Sequence, residues 1–169
     1  RRYHEQYDDS DLSFSRHVDY ICSKVSKAVG YLVSHCSHLP LECIRLFYHC
    51  YILPIFLYCS TAWSSLLSKS LMSTLEVHNK RILKVLFRKP SYFPSAELYD
   101  MFNTFPISSQ ADRKLCIVVH SIRLDKAPPH LRKYNWFLPT RPTRNPCTLP
   151  KARTSAYTRS PFFASYSLW

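Results

Sequence analysis

The stretch Ser70–Phe87, SLMSTLEVHNKRILKVLF, decides the fold class. Laid out at about 100° per residue, Leu71, Leu75, Ile82 and Leu86 fall within one narrow arc. Lys80, Arg81 and Lys84, with Arg88 just beyond, fall on the opposite side. The spacing predicts an amphipathic helix with its apolar face in a core and a stripe of bases turned outward. Lys89-Pro90 suits its end, because proline cannot continue a helix and restricts the residue before it.

The same period recurs on both sides. Val18, Ile21, Cys22, Val25, Val29 and Leu32 predict a helix from Ser13 or Ser15, either of which can cap it, to about Ser34. Gly30 lies inside it, at roughly 1 kcal/mol relative to Ala. A second helix starts around Pro40 and runs through Leu41, Ile44, Phe47, Tyr48 and Tyr51, until Pro54 kinks or ends it. Ser95 is placed to cap a short helix through Leu98, Tyr99, Met101 and Phe102. After Phe105-Pro106 a longer one carries Ile107, Ala111, Leu115, Val118, Val119 and Ile122. Cys116–Val119 is strand-like alone, but helical spacing around it outweighs that. The expected architecture is all-α. A helical bundle covers residues about 13–125, behind a polar lead-in at 1–12 and before an irregular basic-aromatic tail at 126–169.

Composition points the same way. The chain has one glycine in 169 residues, where average usage near 7% would supply roughly 12. Gly-rich phosphate loops and dinucleotide fingerprints are thereby excluded, and tight-hairpin sandwiches are disfavoured. Helices joined by turns of Pro, Ser and Asn remain. From Leu46 to Trp63 no Asp, Glu, Lys or Arg occurs over 18 residues, the lower length for a membrane span. His49, Pro54, Ser60 and Thr61 interrupt it, so the expectation is a helix buried between two others.

The net charge of +12 is one-sided. Residues 1–79 hold 7 Lys+Arg against 7 Asp+Glu, whereas residues 80–169 hold 16 against 4. Such asymmetry attracts polyanions, nucleic acid first and anionic membrane second. In the tail, Lys133-Tyr134, Trp136-Phe137, Arg153, Tyr157, Arg159 and Phe162-Phe163 interleave cations with rings. Single-strand bases stack on such rings while the cations follow the phosphates; equally, the rings could wrap the helical core.

Two other constellations carry less. Tyr7-Asp8-Asp9 looks like the YxDD turn that clamps two metal ions for phosphoryl transfer. It lacks the spacer, the flanking strands and a third carboxylate, and reads as an acidic lead-in. Cys36, Cys43 and Cys50 are seven apart, a helical spacing that puts the latter two on one face as small buried residues, rather than a zinc-ligand pair. Seven cysteines, an odd number, behind a polar N-terminus give the expectation of reduced thiols in an intracellular protein, nuclear or cytoplasmic and not secreted. The missing initiating Met gives the expectation of a piece of something longer.

The order of motifs resembles the post-palm region of non-LTR retrotransposon reverse transcriptases of the jockey-like LINE type. Asp11–Val18 leading into Ile21–Val25 resembles "DLSWSxHVxxIxxKxxKxxG", with Gly30-Tyr31-Leu32 at its end. Leu39-Pro40-Leu41 through Tyr48 resembles "LPxxxxxxLYxxxIxP", and Pro54–Ser60 with Trp63 resembles "PxxxYCSxxW". Leu75–Leu83 is similar to "LExxQNRxxR", with His78 where Gln is usual. Pro106-Ile107 with Arg113 is similar to "PLxxRR", with Lys114 for the second Arg, and Ala127–Leu131 resembles "xPxYL". Thr140-Arg141, Leu149-Pro150, Arg153-Thr154, Phe162-Phe163 and Leu168-Trp169 follow the family's closing series. The opening departs from it, with Tyr7-Asp8-Asp9 in place of "YLGVxLD".

The resemblance, spread over nearly the whole chain, implies the thumb and C-terminal region of an RNA-directed DNA polymerase without its catalytic palm. It implies a non-enzymatic fragment that grips RNA template and RNA–DNA duplex through sequence-independent phosphate contacts. The bases expected to grip are Lys80, Arg81, Lys84, Arg88 and Lys89, with Arg113 and Lys114 second. The expected partners are RNA and DNA, with no small-molecule substrate; no cofactor is expected, Mg²⁺ belonging only to a full-length parent. The alternatives are a membrane-associated helical protein using Leu46–Trp63 and the tail on anionic lipid, and a translated relic without function.

Overall fold

The computed structural model describes residues 14–35, 38–132, 154–155 and 160–161. The lead-in, Cys36, Cys147 and most of the basic-aromatic tail lie outside the described residues. Those described build an all-α fold, with no strand among them. The elements are α1 (Ser15–His35), α2 (Leu41–Phe47), a π-helical turn (Tyr48–Ile52), α3 (Leu53–Leu57), α4 (Ser60–Trp63), α5 (Lys69–Leu86), α6 (Ser95–Phe102), α7 (Ile107–Arg123) and α8 (Pro129–Arg132).

The apolar periodicity of the three long helices reappears as burial. α1 buries Val18, Ile21, Val25, Val29 and Leu32; α5 buries Leu75, Ile82, Leu83 and Leu86; α7 buries Ile107, Ala111, Leu115, Val119 and Ile122. α1, α6 and α7 all pack on α5. An aromatic cluster fills the space between them. Phe102 meets Phe87 edge-on at 4.1 Å and Tyr48 at 5.0 Å, and Trp63 and Phe56 are wholly buried nearby.

Four local details differ from expectation. Pro54 does not end its helix: the π turn before it closes Leu53 N–H onto Tyr48 O, five residues back. That extra residue in the turn makes room for a ring lacking an N–H. The stretch is not buried between two neighbours either. Tyr48, Ile52, Phe56 and Leu57 point inward, but Leu46 is 64% exposed and Tyr51 and Tyr58 about half exposed. The wider stretch Leu41–Trp63 is apolar and long enough to cross a membrane by length and composition, and 28% of its most apolar 18 residues is buried. Its unbroken helical part, Leu41–Leu57, spans only about 25 Å at 1.5 Å per residue, because Cys59 turns left-handed at φ 48°. Cys43 and Cys50 are exposed rather than core residues, and both are free thiols. Finally, Ser95 opens α6 as its first helical residue behind Pro94 and does not cap it; Ser68 caps α5, its hydroxyl accepting from Leu71 N–H at 3.3 Å.

A chain with one glycine still needs left-handed residues to stop its helices. After α5, Lys89 N–H returns to Lys84 O and Arg88 N–H to Val85 O, with Arg88 at φ 52°. After α6, Thr104 returns to Tyr99 and Asn103 to Asp100, with Asn103 at φ 49°. After α7, Lys126 returns to Ser121 and Asp125 to Ile122, with Asp125 at φ 55°. All three are Schellman stops with Arg, Asn or Asp where glycine is usual. Asn and Asp tolerate this conformation; for Arg it costs about 1–2 kcal/mol.

Candidate nucleic-acid interface

The α5 helix is anchored by polar groups as well as by its apolar arc. Glu76 accepts from Ser108 N–H at 2.8 Å, Ser108 Oγ at 2.9 Å and Tyr99 Oη at 3.3 Å. It thereby places a carboxylate on the N-terminus of α7, where unsatisfied amides and the helix dipole favour it. Asn79 is fully buried and accepts from Tyr48 Oη at 3.0 Å. Burial pushes the Tyr48 hydroxyl up to about 12, against that hydrogen bond. On the opposite flank His78 donates to Cys22 O at 3.1 Å, tying α5 to α1.

The seven bases singled out by sequence fall into distinct settings. Arg81 is exposed on the outer face of α5, and Lys80 is half-buried one turn beyond Glu76. Lys84 is half-buried and donates to the carbonyl of Ser91 in the following loop. Arg88 is exposed but sits past the helix end in left-handed geometry, so it does not continue a Lys80–Lys84 column. The α5 stop required it there. Lys89 lies over the Phe93 ring, 5.0 Å from its centroid. On α7, Arg113 is exposed, whereas Lys114 donates to Leu57 O at 3.0 Å. A cation on the last carbonyls of α3 is a helix-terminating contact, which gives Lys114 a structural task. The outward cationic face is thus Lys80 and Arg81, with Arg88 at its end.

A second basic-aromatic surface was not anticipated. Along α1, Tyr20, Lys24, Lys27 and Tyr31 stand at steps of four, three and four, one column beside the buried face. Across from them, Phe47, Tyr51 and Tyr58 come from α2, the π turn and the end of α3. Between the two runs a groove made of adjoining hollows of about 350 and 530 Å³, which share Tyr20, Lys24 and Tyr51. The Tyr-Lys-Lys-Tyr spacing was legible in the sequence; the facing column was not, since it depends on how α2 and α3 lie against α1.

Among the described residues no three His, Cys, Asp or Glu side chains gather as a metal cluster. Comparison with protein-family models, with curated proteins and with solved structures returns no match to this chain.

Proposed function

We propose that this chain is a sequence-independent nucleic-acid-binding helical module, of the kind found in the thumb region of non-LTR retrotransposon reverse transcriptases. It grips the phosphate backbone of RNA template or RNA–DNA duplex through the outer face of α5 and performs no phosphoryl transfer itself. The observation that supports this reading most is the two-sided α5 helix. Its apolar arc is buried while Lys80, Arg81 and the terminal Arg88 face outward, in a chain of net charge +12. Arg113 adds an exposed base on α7, and Lys84, Lys89 and Lys114 contribute field more than direct contact. The motif order from Asp11 to Trp169 supports the same reading.

The test is the salt dependence of binding to a 20-bp RNA–DNA hybrid. Lys80→Glu with Arg81→Glu should keep the helical circular dichroism signal: Arg81 is exposed, where a charge contributes about 0–1 kcal/mol, and Lys80 is half-buried rather than core. The slope of log affinity against log salt should flatten by about 0.7–0.9 per lost contact. The control neutralises the tail instead, with Lys133, Arg141, Arg144, Lys151, Arg153 and Arg159 all changed to Gln. Full affinity in the α5 variant together with loss in the tail variant would make the tail the binding element.

A membrane-associated protein is the second reading, supported by the exposed Leu46, Tyr51 and Tyr58 on the Leu41–Trp63 stretch. Flotation with anionic vesicles, unaffected by competing nucleic acid, would favour it.

A further inference from the structure

We propose that the groove between α1 and α2–α3 is a binding site for single-stranded nucleic acid, separate from the α5 face and with a different ligand form. The proposal shares the ligand chemistry of the function above but stands on different residues.

The walls carry the two groups that single-strand binding needs. Tyr31 is 65% exposed, Tyr58 52%, Tyr51 49% and Tyr20 39%, so all four rings are reachable. Two stacked platforms exist already: Tyr31 lies on His35 at 4.4 Å and 20°, and Phe47 on Tyr51 at 5.3 Å and 26°. A base adding to either continues a stack rather than building one. Lys24 and Lys27 rise from the α1 wall between Tyr20 and Tyr31, and among the described residues no carboxylate lines either hollow. The Lys24 ammonium stands 5.7 Å from the Tyr20 ring centroid, so a cation and a stacking face are presented side by side. From Tyr20 to Tyr31 the helix rises about 16 Å, room for about five nucleotides at 3.4 Å each. Nothing in this arrangement reads a double helix, whose bases show no faces to such rings. Stacking is also sequence-tolerant, because every base has a π-face.

One residue gives the groove a polar end. His17 is only 9% exposed, yet neither ring nitrogen has a hydrogen-bond partner among the described residues. It lines the smaller hollow, edge-on to Trp63 at 5.4 Å. Burial lowers its pKa, which keeps the imidazole neutral with one donor and one acceptor. A buried polar group left unpaired destabilises the free protein. Neither nitrogen has accessible surface, so a base edge or a ribose hydroxyl becomes the missing partner where the wall of the hollow shifts to admit it.

The experiment is fluorescence anisotropy of the full chain with labelled rU10 and dT10, in parallel with the 20-bp RNA–DNA hybrid. Tyr31→Ala with Tyr51→Ala should weaken decamer binding at least fivefold, the low end for losing a stacked base, and leave hybrid affinity within about twofold. Lys24→Gln with Lys27→Gln should do the same and flatten the decamer salt slope. Lys80→Glu with Arg81→Glu should show the reverse pattern, so the two readings fail separately. His17→Phe, which keeps a ring in place, should raise the melting temperature yet weaken decamer binding about three- to tenfold. That pairing cannot come from damage to the fold. Decamer affinity unchanged in the groove variants overturns the proposal, as does equal weakening of both ligands. So does failure of the wild-type chain to bind either decamer. A 70:30 phosphatidylcholine:phosphatidylserine vesicle arm covers the other occupant. Vesicle binding lost in the tyrosine variants, with decamer binding intact, would make the groove a lipid-facing surface and overturn it too.

Discussion

Gly30→Ala is expected to stabilise the protein, by an amount that follows from its surroundings. Gly30 lies in the interior of the 21-residue helix α1, is exposed, and does not have positive φ. A Cβ built on it meets nothing within 4 Å. The glycine therefore serves no left-handed turn and no close approach, and its cost is pure backbone entropy. Alanine at such a position is worth about 1 kcal/mol, most of it through restriction of the unfolded chain. With an unfolding entropy of about 2.1 cal/mol/K per residue, a helical domain of roughly 115 residues should melt about 4 °C higher. The measurement is thermal denaturation followed by circular dichroism at 222 nm, with urea midpoints as a second reading and an unchanged m-value. Gly30→Pro at the same site should cost about 3 kcal/mol or more. If Gly30→Ala leaves the midpoint unmoved or lowers it, α1 does not run unbroken past Gly30. The packing of Val29 and Leu32 deduced from that continuity would then be wrong.

Three further outcomes are expected. Arg88→Gly should raise stability by about 1 kcal/mol, because glycine adopts the left-handed stop freely; it should weaken hybrid binding at the same time, and a loss of stability would mean that Arg88 is held by contacts worth more than its strain. His17 and His78 both have pKa values lowered by burial. The unfolded chain therefore takes up their protons first, so their contribution is complete above pH 6.5 and is lost as pH falls through the lower folded values; urea midpoints at pH 7.5 and 5.0 should diverge less in a His17→Phe, His78→Gln variant than in the wild type. The chain alone should give no templated primer extension with Mg²⁺ or Mn²⁺, since two-metal phosphoryl transfer needs convergent carboxylates; incorporation above background by the pure chain would overturn the non-enzymatic reading.

Sequence alone determined the helical class and the bounds of the long helices. The spacing of Leu75, Ile82 and Leu86 predicted Ser70–Phe87 where α5 runs Lys69–Leu86. That was possible because a 3.6-residue period is a property of one segment: it tells which side of a helix avoids water without saying what covers it. The single glycine also told truly that turns would use other residues, with Asn103 and Asp125 among them. What needed the tertiary structure was everything that depends on a neighbour. Arg88 leaves the α5 column because the chain must turn back toward α6, and Lys114 is drawn to Leu57 O because α7 passes the end of α3. Pro54 is absorbed by a widened turn that no propensity of Leu53 or Tyr48 announces. Tyr51 and Tyr58 look like core in sequence and stand at the surface because α1 covers only one side of that helix. The groove exists only as the gap between two columns on separate helices. Its width is set by long-range packing, and packing is written in all the side chains at once rather than in the order of any few.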